Sequence, residues 1–139
     1  MSDAHQDTNT SKHIVFLDQA TFPDAVTVRP PAFPHSLETF ARTTADQAVE
    51  RAKDADIIIL NKVPMRAETL AQLPKLKMIA VAATGTDNID LNVCKERGII
   101  VSNIRGYAIA TVPEHTMGLM LSLSRSIRPY HDSVAKGRW

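Results

Sequence analysis

The sequence is poor in cysteine and aromatic residues, and it has no long apolar run. The single cysteine, Cys94, excludes an internal disulfide and favours a reducing cytoplasm, where we place the protein. Because no apolar run approaches the length that spans a bilayer, we expect no membrane partner. The net charge of +1 gives no indication of binding to nucleic acid.

What is present is typical of a soluble globular chain, with 44% hydrophobic and 22% charged residues. A length of 139 residues is enough for a real core. Residues 1–12 are polar and are interpreted as a disordered tail outside the fold. The five histidines have no spacing typical of metal ligands, so we expect no metal site.

Short apolar runs alternate with helix-like stretches along the chain. This alternation predicts an α/β fold with a doubly wound parallel sheet. The proline-rich stretch 22–34 is interpreted as a rigid connection. The predicted strands are His13–Asp18, Glu38–Thr43, Asp56–Leu60, Lys77–Ala83 and Ile99–Ser102. The predicted helices are Thr44–Ala55, Arg66–Leu73 and a third helix that runs to Arg97. We expect Asp90 to cap the start of this third helix and Gly98 to end it.

The most informative loop is Thr84-Gly85-Thr86, which follows the fourth predicted strand directly. In open α/β sheets, ligands bind beyond the carboxyl ends of the strands. We therefore expect the backbone N–H groups of this loop to hold a small anion. Gly85 is expected to permit both an unusual φ angle and a close approach to the backbone. Asp87 is interpreted as a turn and N-cap residue rather than an acid–base group.

Two cations follow neighbouring predicted strands, Lys62 after Asn61 and Arg105 in the loop after the fifth strand. If the strands are parallel, these loops emerge at one edge of the sheet, and the ligand would be a small carboxylate or phosphate. Two alternatives remain open at this point. Lys62 could equally be a solvated lysine, and Arg105 could equally brace its own loop.

The last predicted helix differs from the others in its apolar character. Thr111-Val-Pro-Glu114 has the pattern of a helix-start box, and residues 117–123 are apolar on nearly every side. A helix that is apolar all round needs to be buried all round, and one small sheet cannot cover it. We expect Pro129 to kink or break this helix.

Several stretches in the same order resemble the D-2-hydroxyacid dehydrogenases, most closely their glycerate dehydrogenase (hydroxypyruvate reductase) branch. The resemblance covers roughly residues 13–139. It is carried by residues 61–64, 81–90, 96–98, 101–107 and 112–115.

The resemblance implies a flavodoxin-like substrate domain over residues 13–102 and the start of a truncated Rossmann NAD-binding domain over 103–139. It implies NAD or NADP as the cofactor, a small 2-oxo or 2-hydroxy carboxylate as the substrate, and a homodimer for the full-length form. By resemblance, the substrate carboxylate binds at Thr84-Gly85, Asn61 and Lys62 line the pocket, and Thr111 and Val112 lie near the cofactor.

No Gly-x-Gly-x-x-Gly dinucleotide loop occurs in the sequence. The family's catalytic arginine, its acidic partner and its general-acid histidine match no position here, so we assign no catalytic residue, and neither Glu114 nor His115 receives such a role. The chain is interpreted as the amino-terminal part of such an enzyme, inactive by itself. The alternative is a stand-alone flavodoxin-like module that binds a small carboxylate without catalysis.

Overall fold

The computed structural model describes residues 11–138. The chain divides into two compact units, the first ending at Ile104 and the second beginning at Arg105. Of the predicted tail at residues 1–12, the first ten residues lie outside the described residues, and Lys12 already belongs to the first strand.

The first unit is built on one sheet of five parallel strands in the order β2-β1-β3-β4-β5. This is the flavodoxin-like order, in which the strand sequence reverses its direction between β1 and β3. The predicted α/β fold with a parallel sheet is confirmed. The strands are β1 Lys12–Phe16, β2 His35–Thr39, β3 Ile57–Leu60, β4 Met78–Val81 and β5 Ile100–Asn103.

The helices of this unit are short: a 3₁₀ turn at Gln19–Thr21, α1 Ala48–Ala52, α2 Ala67–Ala71 and α3 Leu91–Glu96. The prediction for α3 is confirmed at both ends. The Asp90 carboxylate accepts from the N–H of Val93 at 3.1 Å. After the helix, Gly98 takes a φ of 68°, which glycine adopts without strain.

The predicted second strand, Glu38–Thr43, is wrong in its bounds, since β2 begins at His35 and ends at Thr39. Its pairing with β1 starts at Lys12↔His35, immediately after the proline-rich connection. Beyond Thr39 the regular strand ends, although the N–H of Phe40 still donates to the Phe16 carbonyl at 2.8 Å. The hydroxyl of Thr43 donates to the carbonyl of Leu17.

The predicted helix Thr44–Ala55 is too long, since α1 covers only Ala48–Ala52. Half of the expected helix-start box is present, because the N–H of Thr44 donates to the Gln47 carboxamide at 3.2 Å. The N–H of Gln47 donates to the Thr44 carbonyl, so these residues form a turn before the helix begins.

The core of the first unit is apolar and fully buried. It includes Ile58 and Ile79 from the strands and Leu70 from α2. Cys94 on α3 is 1% exposed and packs in the core as a small apolar residue. Burial, reinforced by the nearby Asp90 carboxylate, raises the pKa of the Cys94 thiol.

The second unit contains two helices, α4 Thr111–Ser124 and α5 Ile127–Ala135. Thr111 is not the N-cap, so the predicted start box is wrong. Ala110 occupies the cap position without a side-chain hydrogen bond. The helix has already begun there, since the N–H of Val112 donates to the Ala108 carbonyl and that of Glu114 to the Ala110 carbonyl.

The predicted break of this helix occurs, but it lies ahead of Pro129. The chain turns at Ser126, whose φ is 51°, and Pro129 falls in the first turn of α5. A proline ring clashes with the carbonyl four residues earlier, here that of Arg125, so the helix must end before it.

The apolar side chains of α4 are exposed, and no residue of the helix is buried. Met117 is 54% exposed, and Leu123 is 80% exposed. None of the helices formed within residues 11–138 has both the length and the apolar character that a bilayer crossing requires.

Candidate functional site

The loop that follows β4 is held in place through its carbonyl groups. The Asn103 side chain donates to the Thr84 carbonyl at 2.7 Å, and the N–H of Ile89 donates to the Thr86 carbonyl at 3.0 Å. The Arg66 guanidinium donates to the Asp87 carbonyl at 2.9 Å. These contacts come from β5, from the residues before α3 and from the residue before α2, so they fix the loop from three directions.

The N–H groups of the same loop are not used in this way. Within residues 11–138, the backbone N–H groups of Thr84, Gly85, Thr86 and Asp87 donate no hydrogen bond to protein atoms. Thr84 and Gly85 are exposed, and Thr86 is half-buried. Successive unpaired N–H groups at the end of a parallel strand are donors that a small anion can accept from.

Gly85 lies close to the side chain of Asp87. It does not take a positive φ, so the expected unusual backbone conformation is wrong. A Cβ added at this position would lie 2.9 Å from Oδ1 of Asp87. The Asp87 side chain is exposed and can rotate away from such a Cβ, so the second expected reason, close approach of a ligand to the backbone, stays a prediction. Asp87 lies in a turn, and Asp90 rather than Asp87 is the N-cap of α3.

A cleft of about 170 Å³ opens between the loops that follow β3 and β4. Three of the predicted site residues, Asn61, Lys62 and Gly85, line it together with Ala83, Asp87 and Asn88. Thr86 joins Gly85 in the wall of an adjoining open depression. Lys62 is exposed, and it is the only lysine or arginine in the cleft wall.

The other predicted site residues belong to the second unit. Arg105, Thr111 and Val112 are exposed there. Their assignment to the substrate and to the cofactor stays a prediction. Among residues 11–138 no group of histidine, cysteine, aspartate or glutamate side chains is arranged to hold a metal ion.

Sequence reasoning missed Asp18, which organises the loop after β3. Asp18 is 4% exposed and lies just beyond the carboxyl end of β1. Its carboxylate accepts from the N–H of Asn61 at 2.9 Å and from that of Lys62 at 2.6 Å. Hydrogen bonds to an ionised group are the strong ones. The sequence signal that could have identified Asp18 is an acidic residue at the end of an apolar run.

Asn88 holds the same loop from the other side, and it too was missed. Its side-chain amide donates to the carbonyls of Asn61 and Val63 at 3.3 and 3.1 Å. The N–H of Met65 donates to the Asn88 carbonyl at 2.8 Å. The loop that carries Asn61 and Lys62 is thus clamped between β1 and the residues after β4.

We expect Asp18→Ala to lower the free energy of unfolding by about 2 kcal/mol, because the N–H groups of Asn61 and Lys62 would lose their buried side-chain acceptor. Chemical denaturation monitored by circular dichroism measures this change. The matched control is Asp24→Ala in an exposed loop, for which we expect little change. Equal effects of the two substitutions would show that the Asp18 contacts do not stabilise the fold.

Comparison with known proteins gives a consistent result. The family model described as D-isomer specific 2-hydroxyacid dehydrogenase, catalytic domain, matches residues 17–134. A glycerate dehydrogenase of Methylorubrum extorquens is 54% identical over 130 residues, 93% of this chain and 41% of that protein. A hydroxypyruvate reductase of Blautia hydrogenotrophica is 34% identical over 97 residues, 70% of this chain and 30% of that protein.

Among solved structures, the chain is similar to a D-lactate dehydrogenase from Aquifex aeolicus complexed with NAD and lactic acid. The TM-score is 0.68 at 25% identity, and the match covers 91% of this chain and 38% of that one. The chain therefore matches between 30% and 41% of the length of these relatives.

Proposed function

Because the chain belongs to the D-isomer specific 2-hydroxyacid dehydrogenase family, we propose that it supplies the substrate-carboxylate site of an NAD(P)-dependent 2-hydroxyacid dehydrogenase. Such an enzyme transfers hydride between a nicotinamide and a small 2-oxo or 2-hydroxy acid. One observation carries the proposal: the unpaired N–H groups of residues 84–87 stand at the end of β4, beside a cleft that Lys62 lines.

In this proposal the substrate carboxylate accepts hydrogen bonds from the loop N–H groups, and the Lys62 ammonium adds a positive charge. The clamps from Asp18 and Asn88 keep Asn61 and Lys62 in place before the substrate arrives, which lowers the cost of binding. Oδ1 of Asn61 is buried and accepts no hydrogen bond from the described residues. Such an unpaired acceptor is compatible with a donor that a bound molecule supplies.

The cofactor would be NAD or NADP, with Thr111 and Val112 near it. The NAD bound in the Aquifex aeolicus relative supports a nicotinamide cofactor. We assign residues 13–102 to the substrate-binding domain and 103–139 to the start of the cofactor domain. We place no acid–base group for the hydride transfer in this chain. A homodimer in the cytoplasm completes the proposal, and the single cysteine supports that compartment.

A chimera that continues after Trp139 with the unmatched remainder of the Methylorubrum extorquens relative provides the test. We expect Gly85→Val to raise KM for hydroxypyruvate about tenfold or more and to leave KM for NADH unchanged, because the branched side chain would obstruct the carboxylate. Gly85→Ala should have a smaller effect, since the Asp87 side chain can rotate away.

The matched control adds the same bulk elsewhere, as Ala71→Val at an exposed position of α2. Steady-state kinetics with both substrates varied gives the two KM values. If both values stay unchanged in Gly85→Val, the loop does not belong to the substrate site.

A further inference from the structure

A second cleft, of about 350 Å³, lies on the other side of the loop that follows β3. We call it the switch-point cleft. Asp18 and Lys62 form part of its wall, and the rest is Ala20, Thr21, Arg42, Thr43, Thr44, Val63 and Pro64. Lys62 therefore lines both this cleft and the cleft beside Gly85.

The position of this cleft follows from the strand order. In the order β2-β1-β3-β4-β5 the direction of progress reverses between β1 and β3. A crevice outside the carboxyl ends of the strands at such a reversal is where open α/β sheets bind ligands. Asp18 follows β1 and Lys62 follows β3, so the switch-point cleft occupies this reversal.

The chemistry of the wall selects the ligand. Arg42 and Lys62 are exposed, and neither forms an ion pair with an acidic side chain in residues 11–138. An arginine fork and a lysine point charge together suit a doubly charged anion. Ala20, Val63 and Pro64 add an apolar wall that can take a short hydrocarbon group.

Three of the four other polar side chains in the wall, those of Asp18, Thr21 and Thr43, already form hydrogen bonds within the chain. The hydroxyls of Thr21 and Thr43 donate to the carbonyls of Asp18 and Leu17. The Asp18 carboxylate accepts from the N–H groups of Asn61 and Lys62. The two cations are thus the positively charged groups of the wall that remain available to recognise an anion.

We propose that the switch-point cleft binds a phosphate monoester with a short apolar body, separately from the carboxylate site beside Gly85. The proposal goes beyond the dehydrogenase function and does not depend on it. It also makes Lys62 a shared residue of two neighbouring anion sites.

Amide NMR spectra of the 139-residue chain, titrated with n-propyl phosphate, inorganic phosphate and oxamate, test this proposal. We expect n-propyl phosphate to shift the signals of Thr21, Thr43 and Thr44 saturably, and to bind about fivefold or more tightly than inorganic phosphate because of the apolar wall. Oxamate, a 2-oxo acid mimic, should instead shift the signals of residues 84–87.

Arg42→Gln should weaken n-propyl phosphate about tenfold and leave the oxamate shifts unchanged. The fold should survive, because the contact that Arg42 makes with Arg51 uses the Arg42 backbone carbonyl. Lys62→Gln should weaken both ligands. The matched control is Lys95→Gln, an exposed lysine of α3 outside both clefts.

The proposal is overturned if n-propyl phosphate does not saturate, if it shifts residues 84–87 in place of the threonine signals, or if Arg42→Gln binds it as tightly as the unchanged chain. A failure of oxamate alone would count against the dehydrogenase function. It would leave the switch-point cleft standing as the site of the phosphate ester.

Discussion

The 139-residue chain will oxidise no NADH with hydroxypyruvate above a blank, whereas the chimera with the remainder of its relative will do so readily. The chain contains no Gly-x-Gly-x-x-Gly loop to hold the dinucleotide, and we place no acid–base residue in it. General acid–base catalysis alone contributes about 10²–10⁴-fold to a rate, and hydride transfer also requires the cofactor to be held. We therefore expect the chimera to oxidise NADH at least about 10²–10⁴ times faster than the chain alone.

The assay follows the absorbance of NADH at equal protein concentrations of the chain, the chimera and the appended remainder alone. The remainder alone is the control for activity that does not need this chain. Turnover by the unmodified chain would contradict the assignment of no catalytic residue to it. An inactive chimera that is folded would remove the support for a dehydrogenase function.

The second large effect is self-association of the unmodified chain through α4. Five aliphatic side chains of this helix, Met117, Leu119, Met120, Leu121 and Leu123, are each at least half exposed. Complete burial of such a side chain stabilises a protein by about 1.5–3 kcal/mol. Because the five side chains are about half exposed, they together lack about 4–8 kcal/mol of this burial free energy. This is comparable with the whole stability of a domain. Pairing α4 between copies would recover part of it.

Sedimentation at micromolar concentration measures the association. We expect Leu119→Lys combined with Leu123→Lys to yield a smaller species, because two charges one turn apart oppose burial of the helix. Leu91→Lys is the matched control, since Leu91 is an exposed leucine of α3 in the first unit. A compact monomer of the unchanged chain, unfolding cooperatively, would contradict our interpretation of α4.

The parallel sheet and α3 were predictable because local signals determine them. Short, mainly apolar runs such as Asp56–Leu60 and Lys77–Ala83 are typical of buried parallel strands. β3 and β4 lie within these two runs. Asp90 caps the start of α3 and Gly98 follows its end with a positive φ, and both effects depend only on residues close in sequence. The loop at Thr84–Thr86 could be recognised for the same reason, as glycine directly beyond a strand.

What escaped prediction depends on contacts that are distant in sequence. The carboxylate of Asp18 meets the N–H groups of Asn61 and Lys62 only because β1 and β3 are neighbours in the sheet. The hydrogen bond from the Thr43 hydroxyl to the Leu17 carbonyl joins residues 26 apart in the sequence, and local propensities do not indicate it. The side chain that an added Cβ at Gly85 would meet, that of Asp87, also could not be identified from the sequence pattern.

Amide NMR of the 139-residue chain with oxamate shows whether the unpaired N–H groups after β4 hold the substrate carboxylate, and it needs neither cofactor nor turnover. We predict saturable shifts centred on Thr84, Gly85, Thr86 and Asp87, and their loss in Gly85→Val. Oxamate shifts that are absent from these residues, or that persist unchanged in Gly85→Val, would contradict the account.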